Sequence, residues 1–167
     1  MRIGIMSDSH GDASITRRAV ALLGEQGATK LIHCGDLCGH GVLDELAGHD
    51  CVFVWGNCDD ADLSMRAYLR RVGLAWPEAP LRMTLDGKRI AVAHGHEYAF
   101  SSLLSEESLD YIFHGHTHVM KDVRENGCRI INPGALYRAS IHSVALLDLD
   151  SDDVTFFEVE SGRVVTL

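Results

Sequence analysis

The sequence has little positive charge: 15 Lys and Arg stand against 24 Asp and Glu, a formal net charge of -9 at pH 7. A surface of that sign repels polyanions, which disfavours nucleic-acid binding through a general basic face. Any chemistry on phosphate then needs a local source of positive charge. A disulfide framework is also missing. The five cysteines at 34, 38, 51, 58 and 128 are odd in number and lack framework spacing, which fits a reducing compartment. The opening MRIGIMSDSHGD holds one basic residue and a short apolar run, neither a signal peptide nor a membrane span. The protein is therefore expected to be soluble and cytoplasmic, with no membrane partner. Linkers, low-complexity segments and repeats are absent. At 167 residues the chain is too short for a barrel of eight strand-helix units, which normally takes about 250. One domain over residues 1–167 is the expectation.

What is present is enough apolar material for a real core, 46% of the chain. Short apolar runs rich in β-branched residues predict strands at Ile3–Met6, Leu31–Cys34, Val52–Trp55, Ile90–Ala93, Tyr111–Phe113, Ile130–Ile131, Val144–Leu149 and Val154–Val159. In the first half they alternate with helices. Ile15, Ala19, Leu22 and Leu23 share a face behind an Asp12 or Ser14 cap, and Val42, Leu43, Leu46 and Ala47 form a shorter one. The second half reads as hairpins, with Asp86-Gly87 and Asn126-Gly127 as turn pairs and Asp150 to Asp153 as a polar turn. The pattern is α/β with a mixed sheet system and outer helices.

Five of these runs stop alike: IGIM into SDSH, LIHC into GD, FVW into GNCD, IAVA into HGH, and YIF into HGHTH. Each sets Asp, Asn or His just past an apolar strand, usually beside a glycine that permits close approach. Ligands of open α/β sheets bind at the carboxyl ends of strands, so the loops are expected to share a rim. The candidates are Asp8, His10, Asp36, Asn57, His94, His116 and His118. Any one motif alone reads more simply as a turn. HGHTH says more, because alternation in an extended segment would set His114, His116 and His118 on one side. His114 also reads as a structural end to its strand. His33 and His96 are expected behind the ligands, and His40, His49 and His142 at the surface or in loops. Carboxylate, amide and imidazole suit Mn, Fe, Co, Ni or Zn in an open catalytic site, whereas structural zinc prefers a closed thiolate set. Seven ligands exceed what one catalytic ion takes, and two ions sharing a carboxylate fit.

In order and separation, DSH, GD, GNCD, HGH and GHTH resemble the motifs of the calcineurin-like metallophosphoesterase superfamily. The small size and the NPGA at 132 to 135 resemble its compact YfcE-like phosphodiesterase branch. The resemblance implies a four-layer α/β/β/α sandwich, two mixed β-sheets flanked by helices. It assigns Asp8, His10 and His118 to one divalent ion and Asn57, His94 and His116 to a second, with Asp36 bridging. Manganese is the first choice, with nickel, iron, zinc or cobalt as alternatives. The implied reaction is hydrolysis of small phosphodiesters by a metal-bridging hydroxide. Two other readings stand beside it: a metal-binding interaction scaffold with little activity, which the filled ligand positions disfavour, and a nuclease, which the net charge disfavours. A homo-oligomer is compatible with the fold.

Cys58 is the departure. Many relatives of that family carry His at the Cys58 position of the GNCD motif, where the resemblance implies that it acts on the leaving group. A thiol of ordinary pKa near 8.5 is a weaker acid than imidazolium, which favours diesters or good leaving groups. Asp59 is expected to orient this turn. A core-filling Cys58 and a metal-ligating one are the competing readings. HCGDLCGH also suggests a zinc site through His33, Cys34, Cys38 and His40, although no second Cys pair accompanies it. Residues 60–80, with Trp76, and 97–108 either line the cleft or form helices over the sheet, and Trp55 is assigned to the core.

Overall fold

The computed structural model describes residues 1–167. The chain runs β1 (Arg2–Met6), α1 (Ala13–Glu25), β2 (Lys30–His33), α2 (His40–Leu46), β3 (Cys51–Phe53), α3 (Leu63–Val72), β4 (Leu81–Leu85), β5 (Lys88–Val92) and α4 (Tyr98–Leu104). It continues through β6 (Tyr111–Phe113), β7 (Lys121–Glu125), β8 (Cys128–Asn132), β9 (Ser143–Asp148), β10 (Asp153–Glu158) and β11 (Val164–Val165). Two mixed sheets form, in the orders β11-β10-β9-β1-β2-β3 and β4-β5-β6-β8-β7.

Helical crossovers make β1, β2 and β3 parallel, with Ile5 opposite Ile32 and His33 opposite Phe53. Asp12 caps α1, accepting from the Ser14 and Ile15 amides at 3.0 and 3.1 Å. Gly4 lets α1 sit against β1, since a Cβ there would lie 2.8 Å from Leu23 Cδ1. The hairpin turns β4-β5 and β7-β8 have both central residues in the left-handed region: Asp86 and Gly87 at φ 47° and 77°, Asn126 and Gly127 at 51° and 82°. Their outer strands β4 and β7 stand at the two edges of the second sheet. LRMTL and KDVRE expose charged residues there, so neither reads as an apolar run.

Period-two alternation splits each strand between two cores. Ile3 and Ile5 face a cluster between the sheets with Ile32, Val54, Ile90, Val92, Phe113, Ile131 and Leu147. Met6 and Leu31 face the outer cluster formed with α1, α2 and α3, and Ala91, Ile112 and Ile130 meet Leu103 of α4. The layers are helix, sheet, sheet, helix, as the resemblance implied. Residues 63–72 and 98–104 are helices, and Trp76 packs on Trp55 at 5.5 Å between ring centroids, against the outer core.

Candidate metal centre

The carboxyl ends of β1, β2 and β3 in one sheet, and of β5 and β6 in the other, open on a common edge. Backbone bonds join the loops leaving them: the Asp8 amide donates to Gly35 O at 3.0 Å, His10 to Asp36 O at 2.9 Å, and Gly115 to His94 O at 3.0 Å. Five candidate residues hold left-handed backbone, Asp8 (φ 56°), His10 (44°), Asp36 (56°), His116 (68°) and His118 (58°). Such non-glycine conformations cost on the order of 1–3 kcal/mol each and persist where the surroundings fix them, typically at functional sites. Glycines supply the clearance. A Cβ on Gly56 would stand 2.1 Å from Asp36 Oδ1, and one on Gly115 would stand 2.6 Å from Asp8 Oδ2.

Side-chain tips from four loops converge. His118 Nε2 lies 3.3 Å from Asp8 Oδ1, and His10 Nε2 lies 3.4 Å from His118 Nε2 and 3.5 Å from Asp36 Oδ2. His94 Nε2 is 3.4 Å from Asp36 Oδ2 and 3.9 Å from Asp8 Oδ1. Asp8, His10 and His118 form one cluster of potential ligands, and Asp8, Asp36 and His94 another. The His116 ring is 5.1 Å from that of His94, and its amide donates to Asp8 Oδ2 at 3.1 Å. Asn57 is exposed on the rim, where its amide nitrogen donates to Cys58 Sγ at 3.3 Å.

Asp8 is fully buried and Asp36 nearly so, yet their ion-pair partners are histidines alone, with no Lys or Arg. Asp8 Oδ1 and His94 Nε2 are buried without hydrogen-bond partners. Buried carboxylates are ordinarily paired with a cation, and converging carboxylate oxygens and imidazole nitrogens are what a divalent ion satisfies. Burial pushes the Asp36 carboxyl up, but the Cys58 amide and His94 outweigh it and hold it below the usual range.

The surroundings orient this set. His94 Nδ1 donates to Cys34 O at 2.8 Å, leaving Nε2 as the lone pair. Glu97 accepts from the His94 and Gly95 amides at 2.9 and 2.7 Å. His33 accepts the Gly35 amide at Nδ1, 3.2 Å, and pairs Nε2 with Ser9 Oγ at 2.8 Å, in the supporting role expected of it. Burial, reinforced by His94, lowers its pKa to about 3. His96 is exposed on the rim, 5.3 Å from the His94 ring. Asn132, first residue of the NPGA segment, donates to Gly115 O at 2.8 Å and Thr117 Oγ1 at 3.1 Å, anchoring the HGHTH loop.

The extended alternation expected of HGHTH does not occur. After β6 the chain turns, and the left-handed His116 and His118 bring their rings to the centre while His114 points away. His114 is buried beside Phe100, its Nδ1 3.2 Å from Gly115 O, and burial lowers its pKa to about 4. It ends the strand structurally. The zinc grouping suggested by HCGDLCGH does not assemble, since Cys34 belongs to the inter-sheet core and His40 stacks on Tyr68.

Cys58 is exposed, which removes the core-filling reading. Its amide donates to Asp36 Oδ1 at 2.8 Å, and burial with the Asp36 charge raises its thiol pKa. Asp59 orients the turn: Oδ1 accepts from the Cys38 amide and Oδ2 from the Gly56 amide, each at 2.7 Å. Glu97, which opens the 97–108 segment expected either to line the cleft or to form a helix, completes the surroundings with Cys38 and Tyr137, whose ring is 5.1 Å from that of His10; the last two were not singled out as rim residues by sequence. Glu97 had a weak local signal, a carboxylate three residues beyond His94. Tyr137 had none, since it arrives from a distant loop.

The family model for the calcineurin-like phosphoesterase superfamily domain matches residues 1–152. Phosphodiesterase MJ0936 of Methanocaldococcus jannaschii is 24% identical over 159 residues, 92% of this chain and 96% of the relative. Phosphodiesterase YfcE of Escherichia coli is 26% identical over 152 residues, 81% of this chain and 79% of the relative. Among solved structures, an archaeal phosphodiesterase superposes with TM-score 0.84 at 23% identity, covering 99% of this chain and all of that one. Wild-type Vps29 of Entamoeba histolytica complexed with zinc gives 0.70 at 21%, covering 99% and 96%. At these identities the structural likeness speaks for the fold.

Proposed function

Because the chain belongs to the calcineurin-like phosphoesterase superfamily, we propose that it is a binuclear metal-dependent phosphodiesterase acting on small phosphodiesters, built as one catalytic domain over residues 1–167. The observation that carries this reading is the pair of buried carboxylates, Asp8 and Asp36, ringed by histidine lone pairs with no Lys or Arg in reach. Asp8, His10 and His118 would hold one ion, Asn57, His94 and His116 the other, and Asp36 would serve both. Two divalent ions, manganese first among the candidates, would supply positive charge toward the phosphoryl oxygens and lower the pKa of a water toward neutrality.

The chain's own residues do the rest. The Cys58 amide fixes Asp36 Oδ1, so Oδ2 stays turned toward His10 and His94. The Cys34 carbonyl holds the His94 proton on Nδ1 and keeps Nε2 free to ligate. Cys58 stands exposed beside Asn57 with its thiol protonated, on the leaving-group side, and Asp59 holds its turn in place. A raised thiol pKa makes Cys58 a weak acid, so esters whose leaving group needs little protonation are the favoured substrates. Five free cysteines fit a reducing compartment such as the cytoplasm, and no helix is long and apolar enough to cross a membrane.

The test is elemental analysis of the purified protein together with steady-state rates on an aryl phosphodiester and its matching monoester, with Mn or Ni added. About two ions per chain, a diester preference and a rate rising from acidic to mildly alkaline pH are expected. Absence of transition metal with no activity on adding Mn or Ni overturns the reading, and a clear monoester preference overturns the substrate class.

A further inference from the structure

Two thiols on the rim lie outside the ligand set above. Cys38 Sγ is 3.7 Å from His10 Nδ1 and 3.4 Å from the Cys58 carbonyl, and ligand atoms of His10, Cys38 and Cys58 all lie within 4.8 Å of one another. A tetrahedral zinc-like ion, with bonds of about 2.3 Å to sulfur and 2.0–2.1 Å to nitrogen, sets neighbouring ligand atoms roughly 3.5–3.8 Å apart. The Cys38–His10 separation already meets that spacing. Cys38 is half-buried and Cys58 exposed, so an ion reaches both from solvent. The carboxylates of Asp36 and Asp59 stand close by and favour a cation.

We infer that Cys38, Cys58 and His10 Nδ1 form a second kind of metal site, for a thiophilic divalent ion such as zinc or cadmium. Loading it transfers one proton from each thiol to solvent, while both sulfurs and the ring nitrogen donate lone pairs. No oxidant takes part. Manganese, a harder ion, prefers the carboxylate and imidazole set.

His10 belongs to both sites through opposite nitrogens, because Nε2 faces His118 Nε2 at 3.4 Å and Asp36 Oδ2 at 3.5 Å. A neutral imidazole has one lone pair and one N–H, so it serves one ion at a time. Resting on the catalytic reading above, a thiophilic ion on the rim withdraws His10 from the catalytic set and acts as a competitive brake.

Cadmium titration of the metal-free protein, followed by thiolate-to-metal ultraviolet absorption, tests the site. The expected result is a band saturating at one equivalent, weakened at least tenfold in Cys38→Ser and in Cys58→Ser and unchanged in Cys51→Ser. No band, or a band that survives both rim variants, overturns the site. If Cys38→Ser misfolds, Cys58→Ser decides, since that side chain is exposed. Electron paramagnetic resonance of bound Mn tests the competition: one equivalent of cadmium releases Mn from wild type but not from Cys38→Ser, and equal release from both overturns it. A cadmium band in a protein that binds no Mn refutes the catalytic reading alone, and Mn binding without the band refutes the thiol site alone.

Discussion

His94 Nδ1 lies 2.8 Å from the backbone carbonyl of Cys34, a bond that joins the end of β5 in one sheet to the end of β2 in the other. Both residues are fully buried, so no water competes for the proton. The ring is thereby locked with its lone pair on Nε2, 3.4 Å from Asp36 Oδ2. Nitrogen-15 NMR of the metal-free protein is expected to show His94 as the Nδ1–H tautomer, with Nε2 alone shifting strongly as Mn or Zn is added. An Nε2–H tautomer, or a ring that ignores the ion, contradicts the assignment of His94 as a ligand.

Gly56 is a steric gate for Asp36. An added Cβ would lie 2.1 Å from Asp36 Oδ1 and 2.4 Å from its backbone nitrogen, and the backbone contact cannot be relieved by a rotamer change. Gly56→Ala is expected to destabilise the protein by about 1–3 kcal/mol and to weaken metal binding at least tenfold. Gly24→Ala is the opposite-signed control. Gly24 is exposed on α1 with nothing within 4 Å of its would-be Cβ, so it should gain about 0.5–1 kcal/mol. Urea unfolding with metal titration measures both, and a Gly56→Ala protein identical to wild type contradicts the packing argument.

Asp36 is the carboxylate that both proposed ions share. Asp36→Asn removes its charge but keeps its shape and the Cys58 amide contact. Affinity for both ions is expected to fall by about 100-fold or more, with activity following. Loss of one ion with the other bound normally would show that Asp36 does not bridge.

Metal-free stability should fall as the pH drops below about 6.5. Burial lowers the pKa of His33 to about 3 and of His114 to about 4, so both are neutral in the folded protein, while the unfolded chain protonates them near 6.5. Between those values the unfolded state binds more protons, so stability is full above 6.5 and lost toward acid. The slope approaches about 1.4 kcal/mol per pH unit for each histidine. Urea denaturation from pH 7 to 5 isolates this from carboxylate titration at lower pH. A flat profile there would show that neither ring is buried neutral.

Cys58→Ala is expected to keep both ions, because it is the backbone amide of Cys58, not its sulfur, that contacts Asp36. Its rate should fall most on substrates with poor leaving groups. Cys58→His should shift selectivity toward those substrates, since positioned acid catalysis contributes about 10²-fold or more. Metal loss in Cys58→Ala would mark a ligand, and an unchanged leaving-group dependence in a folded Cys58→His contradicts the assigned role.

The sequence alone determined that Asp8, Asp36, Asn57, His94, His116 and His118 follow apolar strands, most of them beside a glycine, because a strand and the turn after it are local events. The turn pairs Asp86-Gly87 and Asn126-Gly127 were legible for the same reason, and so was the Asp12 cap. Edge strands β4 and β7 were not, since solvent on one side dilutes their apolar pattern. Tertiary structure decided what depended on distant partners. Left-handed turns at His116 and His118, fitted around the Asp8 carboxylate, undid the alternation a straight strand would have given HGHTH and sent His114 into the packing. The cross-sheet bond to Cys34 chose the His94 tautomer, and the meeting of two loops 20 residues apart in sequence brought Cys38 to Cys58. Period and propensity describe one segment at a time, whereas these contacts exist only once two sheets have packed and the ends of their strands share one edge.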